Sequence, residues 1–157
     1  VSQVTIDQNK LNYPGTEKSF LRYLIGVINT MLTALFQDTV VVFPVPTHAS
    51  KTIYNILVAR RAYTVTAIDY VPDVAQGAAL TATVVKATGT ATPASGTTPM
   101  HTANAINCNG TAHTVQSIAL TSTVANLALA IGDRIGFVLS GALSTGSGTV
   151  VIRMTKS

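Results

Sequence analysis

The chain has 157 residues, enough for one domain with a helical appendage and for a core that needs neither disulfides nor metal. Only 10% of residues are charged while 47% are hydrophobic, so the surface must be made of Thr, Ser, Ala and Gly or be buried against other subunits. The net charge of +4 comes from ten cations with no run longer than Arg60-Arg61; with Trp absent, this is not the clustered, aromatic-laced patch of a nucleic-acid binder.

Residues 1–16 read as an extended arm. Val4 and Ile6 alternate with polar neighbours, and Asn12-Tyr13-Pro14-Gly15 is a turn signal. The opening VSQVTIDQNK is polar and lacks a signal-peptide pattern.

Residues 17–37 are expected to form one long helix. Thr16 is placed to cap it, and Glu17 follows where the helix dipole favours an anion. Leu21, Leu24, Ile28, Met31 and Leu35 recur at steps of three and four, a heptad seam. Phe20, Ile25, Val27, Leu32 and Phe36 add a second strip, making the apolar arc wider than a two-stranded coil needs. Two burials answer that width. The helix packs across its own β-domain, or it packs against copies of itself near a symmetry axis. Arg22, Asn29, Thr30 and Thr33 interrupt it as a membrane span, which needs about 20 mostly apolar residues. Its polar face lacks the cations of a membrane-surface helix.

From residue 39 the period changes to two. Val40 to Phe43 reads as a short strand stopped by Pro44 and Pro46. Thr52 to Ala59 is apolar on both sides and therefore expected to be central, and Arg60-Arg61 makes a tight connection or bulge. Tyr63 to Val71 sets Tyr63, Val65 and Ala67 against Thr64, Thr66 and Ile68, with Pro72-Asp73 as a stop. Ala79 to Ala87 repeats the alternation. Residues 88–114 read as a long excursion with a short strand around 103–108. Further strands are expected over 115–121, 134–140 and 149–155. Ile131-Gly132-Asp133 reads as a turn and Gly141 to Gly148 as a small-residue hairpin. No helical pattern lies between strands, which excludes parallel βαβ units. The fold expected is mainly β, an antiparallel, jelly-roll-like β-sandwich over 38–157 preceded by one long N-terminal α-helix.

Chemistry-bearing residues do not converge in the sequence. Six acidic residues are spread along the chain without a close pair, and no nucleophile elbow occurs. His48, His101 and His113 read as loop histidines, and their spacing with Cys108 fits no zinc motif. Cys108, the sole cysteine, reads as a buried thiol. No catalytic residue, cofactor or metal is expected, and the chain reads as a non-enzyme.

The stretch ARRAYTVTAIDYVPDVAQGAALTATVV over 59–85, LALAIGDRIGFVLSG over 127–141 and the closing GTVVIRMTK, together with the polar arm and apolar helix, resemble small head-decoration and head-fibre proteins of tailed bacteriophages. The resemblance covers about two thirds of the chain and carries no constant functional residues across. It implies a virion protein on the outer capsid surface, a homotrimer on three-fold or quasi-three-fold positions with the major capsid protein as partner. Neither nucleic acid nor membrane is an expected partner. On this reading the oligomer interface is Phe20, Leu21, Leu24, Ile25, Ile28, Met31, Leu32 and Leu35. Val4, Ile6, Tyr13, Arg60 and Arg61 are candidates for capsid or inter-subunit contact. The alternative is a receptor- or carbohydrate-binding module of a phage fibre.

Overall fold

A computed structural model describes residues 15–94, 98–102 and 105–157. The chain divides into two compact units, one up to Asp38 and one from Thr39 to the end. In the first, α1 spans Gly15–Gln37. It starts earlier than the capping signal suggests, so Thr16 lies inside the first turn. Val4, Ile6 and Tyr13 of the expected arm fall outside the described residues, and Leu35 and Phe36 lie in α1 outside the described side chains.

The second unit is built from strands β1 (Asp38–Val45), β2 (Ile53–Val58), β3 (Tyr63–Val74), β4 (Thr81–Ala87), β5 (Thr98–Pro99), β6 (Ile106–Asn107), β7 (Gln116–Ile118), β8 (Ala128–Leu129), β9 (Arg134–Leu139) and β10 (Ser147–Lys156). One sheet has the order β1-β10-β3-β7, with β8 also on β3. The other has the order β2-β9-β4-β5, with β6 also on β4. The pairings of β3, β4 and β9 are antiparallel throughout. The pairs are nested: β1 with β10, β2 with β9, β3 with β7 and β8, β4 with β5 and β6.

The two sheets close over one core. Period-two alternation places Gly148, Val150, Ile152 and Met154 of β10 inward, all buried. Val65, Ile68 and Tyr70 of β3 meet Ile135, Phe137 and Leu139 of β9 from the opposite sheet. The Tyr70 and Phe137 rings stack with centroids 5.9 Å apart. Gly148 leaves room for this stack, since a Cβ there would stand 2.5 Å from Tyr70 Cζ. At the side of the sandwich, Phe43 of β1 meets Tyr54 of β2 edge-on at 6.2 Å.

Five expectations are corrected. β1 runs through Pro44 to Val45; it is an edge strand, where a missing N–H is tolerated. β2 is also an edge strand and not central, with Tyr54 its one buried residue. β3 continues past Pro72 to Val74, and a register shift opposite Arg153/Met154 puts both Val65 and Ile68 inward, breaking strict alternation at Thr66-Ala67. The segment 141–146 joins β9 to β10 across the two sheets, so it is not a hairpin. A single helical turn, α2 (Val124–Leu127), does lie between strands. The 131–133 turn is found as expected: Gly132 has φ +89°, and Asp133 Oδ2 accepts from Ala130 N at 2.9 Å.

The 88–114 excursion is anchored on the second sheet. β5 and β6 both pair with β4. Pro93 packs on Gly136 of β9, and Arg134 donates to the carbonyls of Gly89 and Ala91. Thr83 and Val85, which a lone sandwich would expose on the outer face of β4, are consequently buried.

Candidate functional site

The apolar arc of α1 divides into two sides. Ile25 is buried, Leu21 and Leu32 are half-buried, and the side-chain oxygen of Asn29 is shielded from solvent without a hydrogen-bond partner among the described residues. On the other side, Phe20 (66% exposed), Leu24 (39%), Ile28 (37%) and Met31 (58%) follow at steps of four, four and three, with Tyr23 (71%) beside them. The expected seam is therefore redistributed. Leu21 belongs with Ile25 on the covered side, and Phe20 joins the open one. A step of one residue turns the helix by 100°, which sequence spacing alone cannot assign to one side of so wide an arc. No helix among the described residues is long and apolar enough to cross a membrane.

Arg60 and Arg61 sit in the link between β2 and β3, which crosses from one sheet to the other. Arg60 is exposed and Arg61 half-buried. The backbone of their neighbour Ala59 is bonded to both Asp133 O and Gly132 N. Among the described residues, the one ion pair is elsewhere, between Arg153 Nη1 of β10 and Asp69 Oδ2 of β3 at 2.7 Å. Asp69 also accepts from Ser117 Oγ of β7 at 2.8 Å, stitching three strands of one sheet together. Asp69 thus serves a cross-strand network within the sheet.

His101 is buried, contrary to its reading as a loop histidine. Its Nε2 accepts from Val84 N at 2.8 Å and its Nδ1 lies 2.6 Å from Thr102 O, so the ring is the neutral Nδ1–H tautomer joining the excursion to β4. Burial pushes its pKa down. His48 instead accepts from Lys51 N at 3.0 Å and Ser50 N at 3.2 Å and shapes an exposed turn. His113 occupies a left-handed backbone conformation, φ 60°, on the surface. Cys108 is fully buried, as its residue type suggests, and burial raises its thiol to about 11. It stands near the Tyr70 hydroxyl, which lacks a partner of hydrogen-bond geometry among the described residues. No three His, Cys, Asp or Glu side chains gather as metal ligands among the described residues.

The residue most engaged in polar contacts went unnoticed in the sequence. Gln76 is buried in the link between β3 and β4. Its Oε1 accepts from Gly146 N (2.9 Å), Thr145 N (3.2 Å) and Thr145 Oγ1 (3.2 Å), and its Nε2 donates to Ser144 Oγ at 3.3 Å. Its backbone N donates to Cys108 O at 3.0 Å, and its carbonyl accepts from Asn109 Nδ2. Three links are thereby clasped at one end of the sandwich.

Comparison of the chain with protein-family models, curated proteins and solved structures finds no match. Among the described residues, exposed large apolar side chains lie on α1, on the edge strands β1 and β2, and singly at Val74, Val115, Val124 and Ile131. On β1 Val40 is 55% and Val42 62% exposed, and on β2, in the other sheet, Val58 is 54% exposed.

Proposed function

We propose that the chain is a structural virion protein, a homotrimer that decorates the outer surface of a tailed-bacteriophage capsid and stabilises the shell by contact with the major capsid protein. The observation that carries this reading is the open face of α1. Phe20, Tyr23, Leu24, Ile28 and Met31 are large apolar side chains presented on one element of a chain with very little charge. Such a stripe is suited to burial among copies around an axis, and closed cyclic symmetry is the usual solution. The sequence resemblance over 59–85 and 127–156 supports the virion setting.

Within this reading α1 is one long assembly helix and the sandwich a jelly roll. The nested pairing of the first strand with the last, the second with the ninth, and so inward to the β4 pairs supports it. That is the order produced by rolling up a single antiparallel ribbon, an architecture common in capsid domains. Adhesion to the shell would come from area burial, at about 25 cal/mol per Å² of apolar surface before the costs of association.

Light scattering tests the reading. The wild type is expected at three times the 16.3 kDa chain mass, and Leu24→Asp with Ile28→Asp at the single-chain mass with its β-sheet circular dichroism intact. A folded double variant that keeps the wild-type mass would remove the helix from the assembly. An image of phage particles with no density for this protein on the shell would remove the virion role.

A further inference from the structure

We propose that one end of the β unit, where Arg60, Arg61 and Lys156 stand, docks on a carboxylate-rich protein surface. The inference rests on the capsid-decoration reading and names the chemistry that the shell partner would present.

The sequence keeps the cations apart, and the fold gathers them. Val58, the last residue of β2, pairs with Arg134, the first of β9, and so does Ala87, the last of β4. Tyr63, the first residue of β3, pairs with Lys156, the last of β10. Arg60 and Arg61 lie in the link from β2 to β3, and Lys86 is one residue from the end of β4. Five of the seven Lys and Arg in residues 39–157 therefore share one end of the sandwich. Two carboxylates share it too. Asp133 is buried with its Oδ2 committed to Ala130 N, and Asp38 opens β1. Among the described residues, none of the five cations is paired with a carboxylate, since the one ion pair is Arg153–Asp69.

The five have different duties. Lys86 Nζ donates to the carbonyls of Ala125 and Ala128, and Arg134 to those of Gly89 and Ala91. These acceptors are neutral, so both side chains brace the fold and leave their charge unbalanced. Arg60 and Lys156 are exposed and Arg61 half-buried, and none of the three has a side-chain bond among the described residues. Their link is held firmly. Ala59 N donates to Asp133 O at 2.7 Å, Ala59 O accepts from Gly132 N at 2.8 Å, and Ala62 O accepts from Ser157 N at 3.3 Å. The arginines thus stand on tied backbone, which lowers the ordering cost of a contact. Ile131, 76% exposed, sits on the turn bonded to this link.

A one-signed cluster on a chain with so little charge is a directional field. The planar forks of Arg60 and Arg61 match carboxylates, and an apolar side chain beside arginines is the make-up of a protein interface. Single-stranded nucleic acid would call for exposed aromatic platforms, and none accompanies these cations among the described residues. Such charges set orientation and association rate more than affinity, so area burial remains the source of adhesion.

The test uses the full chain and a labelled poly-L-glutamate peptide, read by fluorescence anisotropy in about 0.05 M NaCl. Arg60→Glu is compared with Lys51→Glu, an equal change of charge before the opposite end of β2. R60E is expected to weaken binding at least about fivefold and R60E/R61E more, with K51E changed less than about twofold. Equal weakening by R60E and K51E would reduce the effect to net charge and overturn the inference. So would no binding to polyglutamate, or tighter binding to a DNA duplex or to phosphatidylserine vesicles. Each of these outcomes leaves the trimer standing. Phage images without density for this protein, with end-specific polyglutamate binding intact, would remove the virion reading alone. R60E alone decides should the double variant not fold, because Arg60 is exposed.

Discussion

At the scale of single residues, His101 is where pH acts on the fold. Its neutral ring accepts the Val84 N–H and donates to Thr102 O; a proton on Nε2 would turn that acceptor into a donor facing a donor. Burial lowers the folded-state pKa, whereas the unfolded chain takes up its proton near the ordinary value of about 6.5. Between those two values the unfolded state binds more protons, so stability rises with pH through that window and is lost as pH falls below about 6.5. The urea midpoint is expected to drop between pH 7 and pH 5. That drop should shrink in His101→Gln, which has no ring to protonate. An equal drop in both proteins would assign the acid sensitivity to other groups. Cys108, by contrast, is held as a thiol by burial and stays protonated at neutral pH.

At the scale of elements, links between sheets matter as much as strands. Gln76 Oε1 accepts two backbone N–H groups of the β9–β10 link, those of Thr145 and the buried Gly146. Gln76→Ala is expected to cost about 2–3 kcal/mol, the penalty for leaving buried donors unpaired, read as a lower urea midpoint at unchanged slope. A loss under 0.5 kcal/mol would mean that water takes over these bonds. Most strands were legible from alternation: β4, β9 and β10 lie within a residue or two of their expected bounds. The exceptions share a cause. Ile68 changes face because a bulge inserts one residue, Thr52 to Ala59 looked central because edge strands can be apolar when their side is left open, and Gly141 to Gly148 looked like a hairpin because turn residues do not say which sheet the chain enters next. The wide apolar arc of α1 was legible too, but not which side of it is covered. The roles of Gln76 and His101 were not, since each depends on partners 17 to 70 residues away.

At the scale of the whole molecule, the proposed trimer ties stability to concentration. A folded state favoured by association melts at a temperature that rises with protein concentration. The wild type is expected to show this rise and L24D/I28D to lose it. With the proposed contact made by Phe20, Tyr23, Leu24, Ile28 and Met31 of α1, all uncharged, the apparent dissociation constant should change little between about 0.05 and 0.5 M NaCl. A strong weakening by salt would point to a charged interface instead. The nested pairing also bears on how the chain reaches its fold. β1 cannot find β10 until about a hundred intervening residues have been laid down, and β2 must likewise wait for β9. Such long loop closures place the sandwich among slow folders, on the order of milliseconds to seconds. The opening strand therefore waits without its sheet partner until the tenth has left the ribosomal tunnel, so most of the sandwich is made before its first strand is paired.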